Sequence, residues 1–189
     1  RSLGIPLGAG RVTVPRAPTE KDSIGSYVPG EAVTNEWGEV FHICKQYPKT
    51  MVHGEQALFT DMDWDMIFRW AKILLPSTNP VDQMVFLDTE TTGLAGGAGT
   101  FAFMVGIGIY QDSHFILHQW FLRQPEEEKA MLAEIDRIMV SHPIAVSYNG
   151  KAFDVPLLHS RFILNGFTSP FRKIQQIDLL HLARKLWKN

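Results

Sequence analysis

Three apolar, strand-like runs follow one another with no room for a helix between them. They are QMVFLDTE (83–90), FAFMVGIGIYQ (101–111) and HFILHQWFLR (114–123). The first link, TTGLAGGAGT, is rich in glycine, and the second is the dipeptide DS. Parallel neighbours need a crossover of a dozen or more residues, so these runs predict an antiparallel meander. The texture then changes. PEEEKAMLAEIDRIMVSH reads as an amphipathic helix with acids at its start, where the helix dipole favours them. PIAVSYNG is a fourth strand, FDVPLLHSRFILNGF a helix ending at Gly166, FRKIQQID a fifth strand, and LLHLARKLWKN a helix running to the end of the chain. The order β-β-β-α-β-α-β-α predicts an α/β fold: a mixed sheet of three antiparallel strands followed by parallel ones, flanked by helices. Right-handed crossovers place the fourth strand beside the first.

The part before residue 81 reads differently. Residues 1–30, rich in Gly, Pro and polar side chains, read as an extended arm. EAVTNEWGEVFHICKQY predicts a hairpin whose loop is slightly longer than the tightest kind, and YPKTMVHGEQ reads as a loop. Met62, Met66, Ile67, Trp70, Ile73 and Leu74 are spaced as on a helix, with Thr60 or Asp61 as its cap and Pro76 beyond its end. Asp61, Asp63 and Asp65 resemble the opening of a calcium loop, but Met66 and Lys72 stand where such a loop needs Gly and Glu. The expected organisation is an arm, hairpin and helix extension over 1–80 and a main domain over 81–189.

With a net charge of −2 there is no global basic field, so a polyanion would have to be met by a local patch or by metal ions. The single cysteine, Cys44, excludes an internal disulfide, fits a reducing, cytoplasmic setting, and is expected to be buried. No apolar run is long enough to span a membrane.

The chemistry concentrates at two strand ends. Asp88 and Glu90 alternate with Thr89, so both carboxylates leave the strand on one side. Such a pair is relieved by protonation, by solvent or by a divalent cation, and hard oxygen donors suit Mg²⁺ or Mn²⁺ better than Zn²⁺. In SYNGKAFDVPLL, Pro156 requires the helix to begin just before it, which puts Asp154 in or beside the first turn. If the fourth strand neighbours the first, Asp154 approaches Asp88 and Glu90, while Asn149 and the turn amides could hold a phosphate or a water. Three carboxylates at a sheet edge can hold a metal pair roughly 3.5–4 Å apart, the arrangement used in phosphodiester cleavage. The chain has no Gly-x-Ser-x-Gly elbow, and GLAGGAG lacks the ending of a nucleotide-binding P-loop.

FLDTETTGL followed by YNGKAFDVPLL resembles the first and second motifs of the DEDD 3′–5′ exonucleases of the ribonuclease-H-like superfamily. It is most similar to a bacterial family of predicted exonucleases, in which TTGL also precedes a Gly-rich turn and a hydrophobic strand. The resemblance implies a two-metal 3′–5′ exonuclease acting on single-stranded DNA or RNA ends. Asp88, Glu90 and Asp154 would be the catalytic metal ligands, Thr91 and Thr92 would contact the terminal nucleotide, and Leu94 would wedge against its base. The family's third motif, an acid with a Tyr or His a few residues before it, is absent. Asp178, the one acid after Asp154, lacks that partner and reads as the cap of the last helix. A start without Met and an end on a helix then read as a fragment of a longer polypeptide, weak or inactive by itself. The alternative readings are a catalytically incomplete nucleic-acid-binding or interaction module, and an endonuclease, on the same fold.

Overall fold

The computed structural model describes residues 24–60, 62–93 and 99–187. Most of the expected arm, the Asp61 cap, Leu94 and the glycine-rich turn at 95–98 lie outside the described residues. The elements are β1 (Glu31–Asn35), β2 (Gly38–Pro48), β3 (Val52–His53), β4 (Gln56–Ala57), α1 (Trp64–Ala71), β5 (Met84–Thr91), β6 (Ala102–Gln111) and β7 (His114–Phe121). After them come α2 (Glu128–Met139), β8 (Ile144–Ser147), α3 (Asp154–Leu164), β9 (Gln175–Asp178) and α4 (Leu179–Leu186).

Seven strands form one sheet in the order β1-β2-β7-β6-β5-β8-β9, and β3 and β4 make a separate small pair. The meander β5-β6-β7 is antiparallel, while β8 runs parallel to β5 and β9 parallel to β8. This is the expected α/β fold with a mixed sheet flanked by helices, and the fourth strand of the meander-plus-crossover series lies beside the first.

Several local expectations are corrected. The β1–β2 loop is the two-residue Glu36-Trp37, the tightest kind, because Asn35 pairs directly with Gly38. Gly38 takes φ +126°, a backbone that a side chain would oppose. The segment 47–56 is not simply a loop, since β2 runs on to Pro48 and a short hairpin follows. The hairpin itself joins the main sheet, with β2 paired to β7 from Phe41↔Phe121 to Pro48↔His114. Helix α1 is capped by Asp63, whose carboxylate accepts from the Met66 N–H at 2.9 Å, rather than by Thr60. It stops at Ala71 because Lys72 turns left-handed (φ 59°), which leaves Leu74 81% exposed.

The two faces of the sheet are covered unequally. Residues of α2 and α3, among them Met131, Leu132, Ile135, Leu158 and Phe162, pack on Val40, Val85, Leu87, Val105, Ile107 and Trp120. A bidentate ion pair between Glu128 of α2 and Arg161 of α3, with both contacts 2.6 Å, ties these helices together. The Asn165 amide donates to the same Glu128 carboxylate. On the other face, Phe68 of α1 and Leu182 of α4 pack with Met84, Ile144, Val146 and Ile177, so the cover lies over β5, β8 and β9. Trp64 and Trp70 pack at the margin of that cluster, and Trp120 is buried in the first. Cys44 is exposed, contrary to expectation. It shares a face with Val40 and His42, but burial falls along β2 from Val40 through His42 to Cys44 as the strand leaves its helical cover. Partial burial and the nearby Glu31 push its thiol pKa up, so it is no activated nucleophile. Among the described residues no helix is long and apolar enough to cross a membrane.

Candidate active site

The C-terminal half of β5 carries the first part of the site. Val85 and Leu87 point into the core under α2 and α3, and Phe86, Asp88 and Glu90 point the other way. Both acids are exposed, because α1 and α4 stop covering this face where β5 passes beyond the end of β8. Their neighbours on β6 are Gly106 beside Asp88 and Met104 beside Glu90. The resulting cleft, about 560 Å³, is lined by both acids and by side chains of β6, β7, Ser147, Tyr148 and Leu179. That is an ordinary size for a small-ligand site.

The second part comes from the β8–α3 turn. Asp154 is the first residue of α3, as Pro156 requires. It is buried, 8% exposed, and its carboxylate accepts a 2.5 Å hydrogen bond from Thr89 Oγ1. Burial raises its pKa, the Thr89 hydroxyl opposes that, and the negative charge of Asp88 adds to the rise. Asp154 therefore lies within electrostatic reach of Asp88 while bonded to the residue that alternates with the acid pair. Thr89 is the residue the sequence reading passed over. Its signal was available: it faces the side of the sheet on which the helix begun by Asp154 packs.

Asp178 builds the turn that delivers Asp154. Its Oδ1 accepts from the N–H groups of Leu180 (3.0 Å) and Asn149 (2.9 Å), and its Oδ2 accepts from the Lys151 N–H (3.1 Å). It caps α4, as expected, and also pins the turn between β8 and α3. Asn149 sits left-handed at φ 64° in that turn, a conformation asparagine tolerates. At Gly150 an added Cβ would lie 2.3 Å from Ser147 Oγ and 3.1 Å from Asp154 Oδ2, so the turn closes only around a glycine. The Thr91 hydroxyl donates to the Gly93 carbonyl, and the Thr92 hydroxyl accepts from the Phe101 N–H, so both already serve the turn leaving β5. Leu94 lies outside the described residues.

By donor type these residues suit a hard divalent cation: two carboxylates share one open face, and a third is in electrostatic reach. Among the described residues no three of them are gathered closely enough to hold an ion as they stand. The Thr89 hydroxyl engages one oxygen of Asp154, Oδ1. His142, His159 and His181 stand apart from the cleft lining.

A family model described as RNase_H superfamily matches residues 85–189. The chain is also 34% identical over 154 residues to the uncharacterized protein YprB of Bacillus subtilis (strain 168). That match covers 76% of this chain and 36% of YprB, so the chain spans about a third of the relative's length. It is longer than the stretch matched by the family model and takes in residues before 85.

Proposed function

This chain belongs to the RNase_H superfamily, and we propose that it hydrolyses phosphodiester bonds as a 3′–5′ exonuclease on single-stranded nucleic-acid ends. Membership suggests nuclease-type hydrolysis with nucleic acid as substrate, and nucleases of this fold generally use divalent metals. The observation that carries the finer reading is the pair Asp88 and Glu90 on one open face, with Asp154 at the start of α3 bonded to the intervening Thr89 and within electrostatic reach of Asp88. Asp88, Glu90 and Asp154 would hold Mg²⁺ or Mn²⁺, which when bound supply an activated water and stabilise the leaving oxygen. The chain's own contribution is positional. The Asp178 carboxylate fixes the turn before α3, and the Thr89 hydroxyl holds the Asp154 carboxylate near Asp88. Thr91, Thr92 and Asn149 would contact the terminal nucleotide.

A non-catalytic binding module is the second reading. It is favoured by the engagement of Asp154 with Thr89 and by the three hydrogen bonds that occupy Asp178, leaving it no role as a further ligand. The distinguishing experiment gives the protein a linear single strand labelled at its 5′ end and a circular one, with Mg²⁺ or Mn²⁺. Stepwise shortening of the linear strand alone is expected. Cutting of the circle would replace the exonuclease by an endonuclease, and binding without cleavage in either metal would support the module.

A further inference from the structure

The face that bears Asp88 and Glu90 continues well past β5. Across the ladder Asp88 pairs with Gly106, Gly106 with Gln119, and Gln119 with Ile43. In the next row Phe86, Gly108, Leu117 and Lys45 align in the same way. Residues paired in register share a face, so these two rows lie side by side on one surface. The apolar cluster formed with α1 and α4 lies over β5, β8 and β9 and includes no residue of β2 or β7.

The chemistry changes along the rows. At one end stand two carboxylates. In the middle the two glycines carry no side chain, and a Cβ added at Gly106 would meet only the Asp88 carbonyl, at 3.8 Å. The Phe115 ring lies over Gly108, and Leu117 and Gln119 are half-buried beside it. The floor is therefore flat, partly aromatic and partly wet. At the far edge, in the hairpin before residue 81, Lys45 is exposed and has no ion-pair partner among the described residues. Three inter-strand steps separate β5 from β2, about 14 Å.

We infer that this face is a track for single-stranded nucleic acid, in which the β1–β2 hairpin serves as a substrate-binding element. The chain end lies at Asp88 and Glu90, the next bases rest on the floor between Gly106 and Leu117, and the Lys45 ammonium takes a phosphate a few nucleotides upstream. The inference deepens the nuclease reading and rests on it. Complementarity of charge and shape favours this occupant over an apolar peptide. Flat, half-exposed apolar surface suits base faces, and an exposed ammonium at the distance of a few nucleotides suits a backbone phosphate.

The test measures binding of 5′-fluorescent oligothymidylate and oligouridylate by anisotropy, with Ca²⁺ in place of Mg²⁺, to the protein. Strands of about two and about eight nucleotides are compared, the longer one within the usual span of single-strand sites. The wild type is expected to prefer the longer strand. Lys45→Glu is expected to reduce that preference roughly three- to tenfold and to lower the salt slope for the longer strand by about 1. Lys129→Glu, on α2 across the sheet, is expected to keep both. Equal length preference and salt slope in wild type and Lys45→Glu would overturn the track and leave the nuclease reading standing. No binding of either strand by the wild type would overturn both.

Discussion

At Asp178 one carboxylate receives three backbone N–H groups from two different turns, although it is only 2% exposed. Asp178→Ala removes a helix cap and leaves the N–H groups of Asn149 and Lys151 without their acceptor. Caps contribute about 0.5–2 kcal/mol, and buried unsatisfied groups cost about 1–3 kcal/mol each. With water replacing part of what is lost, the variant is expected to lose about 2–4 kcal/mol, readable as a fall of roughly 5–10 °C in Tm. Asp178→Asn is expected to fall between the two. Its amide oxygen can replace Oδ1, but its NH₂ would face the Lys151 N–H that Oδ2 now accepts. A Tm for the alanine variant equal to wild type would contradict this account of the turn. The capping role was legible from a lone Asp between a strand and a helix. The reach to Asn149 and Lys151 was not, because it depends on β9 lying beside β8. Cys44 shows the same divide: alternation assigned it a face, but only the path of the helices decides which part of that face is covered.

Between β2 and β7 lies a stack of three rings. His42 and His118 are stacked at 5.3 Å and share a hydrogen bond between Nε2 and Nδ1 of 3.1 Å, and Trp120 stacks with both. Burial and the neighbouring His42 lower the His118 pKa from 6.5 to about 4. Burial lowers that of His42 as well, opposed by Glu31 and Glu134. The unfolded chain therefore binds protons that the folded one refuses as the pH falls from about 6.5 towards 4. The stability tied to this pair is complete above that window and lost on descending through it. Both rings are partly solvated, so the loss is on the order of 1 kcal/mol. Urea unfolding at neutral pH and near pH 4.5 is expected to show a smaller acid loss in His118→Phe than in wild type. The same acid loss in both would remove the pair from the pH response. Among the elements, the meander strands were the legible part, since apolar runs bounded by turn residues fix them within two residues, whereas the fifth strand begins at Gln175 rather than Phe171 because Pro170–Arg172 form a 3-10 turn. The end of α1 was not legible, because the apolar spacing continues through Ile73 and Leu74 while the backbone departs at Lys72.

On the scale of the molecule, two rules carried the sequence furthest. Short links made β5, β6 and β7 a meander, and crossover handedness placed β8 against β5, bringing Asp154 to the strand that holds Asp88 and Glu90. That the hairpin adds two strands to the same sheet could not be read, since no local pattern says which edge strand β2 will pair with. The consequence is one continuous surface from the acid pair to Lys45. The central claim is that Asp88, with Glu90 and Asp154, performs phosphodiester hydrolysis. It is tested most directly by the rate at which the protein removes nucleotides from a labelled single strand with Mn²⁺, as wild type and as Asp88→Ala. Because Asp88 is exposed, the variant is expected to fold with an unchanged Tm and to lose about a thousandfold or more in rate, as befits loss of a main charge-stabilising group. A folded Asp88→Ala protein that cleaves at the wild-type rate would contradict the account.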